Sequence, residues 1–287
     1  MDSELSLRIM FDLFKFIEDE EISNDEYKNA EISIINLNSV FSTTFYEKMM
    51  RELSNEDKLN DYVESVGEIF KMVLTHLSSH RIILVYTDQE SEFTEIYEDW
   101  KKSRYENKEM NKFAKLVFKH FIEVFNKIKK VNPTIDIINT EEFYPAVFTH
   151  AFIRFRNIKE PIFLVSRDRL DFLNLINDNV ILFDGQEFLT EENFDQHESK
   201  KLPNIDVHFL KYYYRLRGIK KYDYPGVRGK GEKRTLKYMS DHLDELVEGR
   251  NKFIDKQMRL FDFDMYIDNM TKEKYNKLVS IVNDTEF

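Results

Sequence analysis

Apolar positions recur along this chain with two different periods. Between residues 4 and 18, Leu5, Ile9, Leu13, Phe16 and Ile17 fall at helical spacing and predict an amphipathic helix. Ile32-Ser33-Ile34-Ile35 reads as a short β-branched strand, ended by Asn36-Leu37-Asn38-Ser39, with a helix beyond it that carries Phe41, Phe45 and Tyr46. Leu59, Tyr62, Val63, Val66, Ile69, Phe70, Val73 and Leu74 set a helix over 57–78, and residues 81–88 form a buried strand closed by Asp88. Residues 91–132 are polar and basic with Tyr97, Trp100 and Tyr105 interleaved, a helical region that Pro133 stops. Then come a strand at 134–138, an unusually apolar helix at 142–158, a strand at 161–166, a helix at 169–176 and a strand at 179–183. From about Ile205 onward the pattern is helical throughout.

Strands alternating with helices define an α/β architecture with a mostly parallel sheet. The working site of such a sheet lies at the carboxyl ends of its strands. Those ends carry Asn36, Asp88 and Asp168.

The composition supports a folded chain of one large or two modest domains. Of 287 residues 42% are hydrophobic, 25 of them Phe, enough for a sizeable core. No run approaches the roughly 18–20 apolar residues that span a bilayer. The N-terminus has no basic segment followed by an apolar core, so no signal peptide is expected. The absence of Cys excludes disulfides, thiolate zinc sites and a cysteine nucleophile, and the expected location is cytoplasmic.

Charge sharpens this picture. The net charge of −11 argues against a nucleic-acid partner until its distribution is read. Residues 101–130 hold ten Lys/Arg against three Glu, and residues 211–237 hold ten against Asp223 and Glu232. The rest of the chain is therefore strongly acidic. Two basic segments on an acidic body suit a polyanion held in a defined track.

The second basic segment contains Gly218 to Thr235, with four of the chain's seven glycines. Gly226, Gly229 and Gly231 follow Pro225 closely and precede a Lys/Arg-rich helical pattern. Glycine admits positive φ and close backbone approach. Consecutive amides in such a turn form an anion-binding nest, to which the next helix adds its positive end. The stretch reads as a hairpin between helices that grips a nucleic-acid phosphate.

Five segments, in order, resemble the flap endonuclease and 5′–3′ exonuclease group of 5′ nucleases, especially the phage-encoded ones. Ile34-Ile35-Asn36-Leu37-Asn38-Ser39 with Phe45-Tyr46 is similar to I-D-G-N-S and F-Y. Leu84-Val85-Tyr86-Thr87-Asp88 is similar to the second strand with its terminal Asp. Tyr97-Glu98-Asp99-Trp100-Lys101-Lys102-Ser103-Arg104 resembles the Y-x-x-Y-K-x-x-R entry to a helical arch. Leu164-Val165-Ser166-Arg167-Asp168, followed by Asp178-Asn179-Val180, resembles the S-x-D strand end and D-N-V. Gly218 to Thr235 resembles G-D-x-x-D-N-I-P-G-V-x-G-I-G-E-K-x-T, the most specific of the five.

The resemblance implies a PIN-like α/β domain over 1–200 with an arch at about 90–132, and a helix-hairpin-helix subdomain over 201–287. It also implies carboxylates that hold two divalent metals for phosphodiester hydrolysis. Most of those acids are replaced. Asn36 stands for the first-strand Asp, Pro145-Ala146-Val147-Phe148 for E-A-D-D, Leu170 for the second acid of S-x-D-x-D, and Ile219 and Tyr222 for the two acids of G-D-x-x-D. Asp88 and Asp168 remain, enough in principle for one Mg²⁺ with waters, and Asp171, Glu141 and Glu142 are the nearest substitutes. No intact catalytic set is expected, only vestiges at Asn36, Asp88, Asp168 and Asp171.

The expected function is that of a catalytically inactive relative that binds structured or branched DNA in phage-type replication, repair or recombination, inside an infected bacterial host. The amides of Gly226, Val227, Gly229 and Gly231 would hold a duplex phosphate, with a K⁺ ion implied by the resemblance. Lys220, Lys221, Arg228, Lys230, Lys233 and Arg234 would add sequence-independent attraction. Lys101, Lys102, Arg104, Lys108, Lys112, Lys115 and Lys119 would meet a single strand or junction. Trp100 suits base stacking or core packing equally. Two other readings stay open: an active 5′ nuclease with a reduced metal site, and a module that recruits replication or host proteins through a tail around Phe261–Tyr266.

Overall fold

The computed structural model describes residues 32–41, 81–89, 92–102, 108–131, 133–168, 171, 174–177, 179–183, 188–194 and 205–285. The helices expected over 4–18 and 57–78 lie outside these residues, as do Phe45, Tyr46, Arg104, Tyr105, Leu170 and most of the helix expected at 169–176.

Six strands form one sheet: β1 (Ile32–Asn36), β2 (Arg81–Tyr86), β3 (Ile135–Asn139), β4 (Ile162–Val165), β5 (Val180–Phe183) and β6 (Phe188–Leu189). Their order is β3-β2-β1-β4-β5-β6. The first five run parallel, with Ile34 of β1 paired to Ile83 on one side and Leu164 on the other. β6 pairs antiparallel to β5 and was not expected, because two residues carry no readable alternation. Strands β1 and β4 are buried along their whole length, which is why their sequences are unbroken apolar runs apart from Ser33 and Asn36.

Among the described residues, seven α-helices accompany the sheet: α1 (Leu37–Val40), α2 (Lys108–Val131), α3 (Pro145–Arg156), α4 (Leu210–Arg217), α5 (Glu232–Val247), α6 (Phe263–Asp268) and α7 (Lys272–Asp284). Pro145 opens α3 at its first turn, where a missing N–H costs nothing, and Asn157 closes it in the left-handed region at φ 50°. Ala146, Val147, Phe148, Ala151 and Phe152 face the core from this helix. The Arg156 guanidinium reaches the carbonyls of Val282, Asn283 and Thr285, capping the C-terminal end of α7.

Two expectations change here. The basic segment is not helical throughout: a short 3₁₀ turn at Glu92–Glu95 precedes α2. Nor is α2 only a polar arch. Phe118, Phe121 and Phe125 are buried, Phe121 stacks on Phe41 with 4.5 Å between centroids, and Phe118 meets Tyr86 edge-on. Lys129 is tied to Asp136 of β3 at 2.9 Å, and Arg81 joins the same carboxylate. The second half of α2 is thus a sheet-covering helix whose apolar stripe sits among lysines.

The tail around Phe261–Tyr266 covers the core rather than offering itself to a partner. Phe261 and Phe263 are fully buried, and Phe261 packs on both Trp100 and Tyr224. Trp100, 1% exposed, is itself a core residue between Phe93, Tyr222 and Phe261, so it is not a base-stacking platform.

Glu92 is buried beside Lys274, 3.6 Å away, and burial pushes its carboxyl from 4.5 up to about 7 against the opposing pull of Tyr266 and Lys274. Between those two values the folded chain keeps a proton that the unfolded chain has lost. Stability is therefore favoured below about pH 4.5 and falls as pH rises through about 7. Glu92→Gln is expected to flatten this part of the pH profile of thermal unfolding. At pH 8 it should raise stability by on the order of 1–3 kcal/mol.

Candidate functional site

The carboxyl ends of β1 and β4 meet in a buried polar cluster. Asn36 ends β1 and caps α1, its Oδ1 accepting the Ser39 N–H at 3.2 Å. Its Nδ2 donates to Asp171 Oδ2 at 3.1 Å, and the Ser166 hydroxyl donates to the same oxygen. Ser39 Oγ accepts the Arg167 N–H at 3.0 Å, and Ser166 Oγ accepts the Asp168 N–H at 3.1 Å. The turn after β4 thus rests on the hydroxyls of Ser39 in α1 and of Ser166 at the end of β4.

Asp168 faces a different set of partners. The hydroxyls of Tyr144 and Tyr222 donate to its two oxygens, and Lys101 Nζ stands 3.6 Å from Oδ2. The Lys101 ammonium also donates to Tyr144 Oη and lies over the Tyr144 and Tyr222 rings, 4.1 and 4.5 Å from their centroids. Burial alone would push the Asp168 carboxyl up, but the Lys101 and Lys221 charges and the two tyrosine hydroxyls hold it well below the usual carboxylate range. Asp171 goes the other way. Its own burial, then the neighbouring Asp168 charge, raise it. One carboxyl of the pair is held ionised and the other is driven toward neutrality.

Several sequence expectations are corrected by this geometry. Lys101 is only 4% exposed, so it faces no nucleic acid; it neutralises Asp168. Asp171, displaced by one position from the resemblance, nevertheless enters the cluster, because its N–H bonds to the Asp168 carbonyl at 3.1 Å in a helical turn. Asp88 does not join it. It is exposed at the end of β2, where Asn139 Nδ2 donates to it at 3.4 Å. Glu141 and Glu142 both bind Lys277 at 2.5 Å and supply nothing to the cluster. Val147 and Phe148 are in the core, and Tyr222 puts a hydroxyl donor on Asp168. Tyr144 escaped the sequence reading; its only signal was an aromatic residue just before Pro145.

These residues do not fit a divalent metal. Among the described residues no three His, Cys, Asp or Glu gather into a possible ligand set. An ammonium and two hydroxyl donors already point at Asp168, and each would oppose an incoming cation. Of this cluster's buried oxygens, Asp171 Oδ1 has no hydrogen-bond partner among the described residues, and one oxygen is not a ligand set.

The glycine stretch lies between α4 and α5, and its glycines divide into two kinds. Gly218 (φ 83°) and Gly226 (φ 70°) sit where two backbone segments cross. A Cβ on Gly226 would meet Gly218 N at 2.4 Å, and one on Gly218 would meet the Tyr224 carbonyl oxygen at 2.5 Å. These two close the hairpin itself. Gly229 (φ 81°) and Gly231 face open space, with no atom within 4 Å of an added Cβ.

The Val227 amide, expected to hold phosphate, donates instead to the Leu216 carbonyl at 2.8 Å, so it belongs to the crossing. Gly231 caps α5, whose first turn holds exposed Lys233 and Arg234. Arg228 and Lys220 are exposed, as are Lys102 and Lys112 in the other basic segment. Lys221 is exposed and also contributes its charge to Asp168. Lys230 lies over the Tyr238 ring, 3.4 Å from its centroid, and Lys102 pairs with Asp99 at 2.8 Å. Lys108 opens α2.

No protein-family model matches the chain, and no curated protein matches it. Solved structures do. The chain has the fold of the phage-type 5′ nucleases, a mostly parallel six-stranded sheet flanked by helices. It resembles the D15 protein of bacteriophage T5 co-crystallised with metal ions, with a TM-score of 0.63 and 16% identity over 88% of this chain and 97% of that one. It also resembles the T5 D15 flap endonuclease pseudo-enzyme–product complex with DNA and metal ions (TM-score 0.60, 14% identity, 88% and 97% covered). A third match is T5 5′-exonuclease with bound zinc (TM-score 0.62, 16% identity, 88% and 97% covered).

Asn36 is the residue whose chemistry most separates this cluster from a metal site. Its amide donates where an Asp would repel Asp171. Asn36→Asp is expected to lower stability in denaturant unfolding by about 1–3 kcal/mol, with no recovery in Mg²⁺ or Mn²⁺.

Proposed function

We propose that the protein binds structured DNA, a duplex with a single-strand junction or flap, without cutting it, in phage-type DNA replication, repair or recombination. The observation that carries this reading is the open half of the glycine turn. Gly231 has φ in the ordinary range and empty space where a Cβ would lie, so the fold itself does not call for glycine there. A backbone that must be approached closely from outside does. The exposed turn sits at the positive end of α5, which runs regularly from Glu232 to a kink at His242, with Arg228, Lys233 and Arg234 around it. That is a sequence-independent grip on a phosphate.

In this reading residues 201–287 are the duplex-binding subdomain, and exposed Lys102, Lys112, Lys115 and Lys119 of the arch meet the junction. A K⁺ ion held at the hairpin belongs to the same reading. The T5 pseudo-enzyme complex supports it as a relative of the same fold that carries DNA. The ammonium on Asp168 and the absence of a ligand set among the described residues support the lack of cleavage.

Fluorescence anisotropy with a labelled flap substrate tests the binding. The affinity should fall steeply with salt, and Lys233→Ala with Arg234→Ala should reduce the slope of log K against log salt by about two. Gly231→Ala should cost no more than about 1 kcal/mol of thermal stability, the ordinary preference for Gly over Ala at a helix N-cap, while weakening binding several-fold. Gly226→Ala, by contrast, should unfold the hairpin. Incubation of the same substrate with Mg²⁺ or Mn²⁺ should give no cleavage. Cleavage that is lost in Asp168→Ala would establish the active-nuclease reading instead.

A further inference from the structure

We infer that the Lys101 ammonium is a built-in counter-ion, which joins the arch base, the end of β4 and the glycine hairpin into one body that needs no divalent metal. Three elements converge on this side chain. Asp168 comes from the turn after β4, Tyr144 from the start of α3, and Tyr222 from the hairpin. The Lys101 N–H also donates to the Tyr222 carbonyl at 2.8 Å, so backbone and side chain bind the same residue. Trp100 packs on Tyr222 at 4.9 Å and Tyr97 meets Tyr224 edge-on at 5.3 Å, extending the junction on both sides.

The backbone adds a second, independent observation. Lys101 lies at φ 56°, in the left-handed region that a long side chain rarely adopts. Such a conformation persists only where surrounding contacts over-determine it. Here it turns the ammonium inward, while the next residue, Lys102, points to solvent. A lysine that served a nucleic acid would gain nothing from that strain or from burial. A lysine that compensates the buried Asp168 requires both, because a buried carboxylate without a counter-charge is strongly unfavourable.

The inference rests on the fold and supplies the reason for the lack of cleavage proposed above. Its test uses the DNA-free full-length protein, so that it fails or stands separately from DNA binding. Thermal unfolding of the parent should give the same midpoint in EDTA as in millimolar Mg²⁺ or Mn²⁺ at matched ionic strength. Lys101→Met and Asp168→Asn should each lower the midpoint by about 5–15 °C, as expected for one partner of a buried pair left alone. The double variant should lose clearly less than the sum of the two.

Additive losses, single variants as stable as the parent, or a saturable stabilisation of the parent by metal that Asp168→Asn abolishes would each overturn the inference. If Lys101→Met does not fold, the double variant decides: folding supports the counter-ion, and failure to fold overturns it.

Discussion

A carboxylate with almost no access to water has to be compensated from within the protein or from a bound cation, and Asp168 is compensated by Lys101. Much of the site follows from that one pairing. A divalent ion at this place would need further acids to complete its coordination, and the acids would in turn need the ion. An ammonium reverses the requirement. With the buried ammonium already matched by Asp168, every additional ionised carboxylate beside it adds repulsion. The polar residues of the cluster conform: Asn36 donates a hydrogen bond, and Tyr144 and Tyr222 donate hydroxyls. Asp171, the one extra acid, is raised by its burial and by Asp168 toward its neutral form.

The same pairing explains how a charge-rich segment is held at the base of α2. Residues 92–102 carry Phe93 and Trp100 into the aromatic cluster formed by Tyr144, Tyr222, Phe261 and Tyr266. Aromatic packing supplies the area, and the ammonium supplies direction, since it meets one carboxylate and two ring faces at defined distances. The hairpin is fixed from two sides. Tyr222 ties it to this cluster, and the Gly218–Gly226 crossing closes it on itself. Gly229 and Gly231 are thereby presented outward on a rigid support.

The sheet was legible because its strands are β-branched runs punctuated by polar residues, and Ile82–Val85 and Ile162–Val165 read the same in sequence and in structure. The α3 helix was legible for a similar reason, an apolar face too broad for a surface helix. What escaped was any residue whose role contradicts its type. Lys101 sits in a run of lysines and differs from Lys102 only in the sign of one backbone angle and the side chain's direction, neither visible in the residue type. Phe118, Phe121 and Phe125 were masked by the charged residues around them. Asp171 looked one position out of place because motif spacing counts residues, whereas a turn after Asp168 brings it back toward Asn36. Glycine suffers the reverse ambiguity: Gly226 and Gly231 are identical in sequence, and only the backbone around them shows that one is required by the fold and the other is not.

Identity of 14–16% with the T5 structures over most of both chains shows a fold kept with few residues in common. The frame is kept by apolar strands and by helix faces that fill the same layers, and these tolerate wide substitution provided volume and pattern are preserved. A charged centre is different, because its members depend on one another. Restoring one acid at Asn36 or Tyr222 would place it beside Asp171 or Asp168 with the ammonium still in position. Removing Lys101 would take from Asp168 the ammonium buried against it. Neither single step leads downhill in free energy toward a metal site: the replacements around Asp168 depend on one another, and the cluster is stable as a set rather than residue by residue.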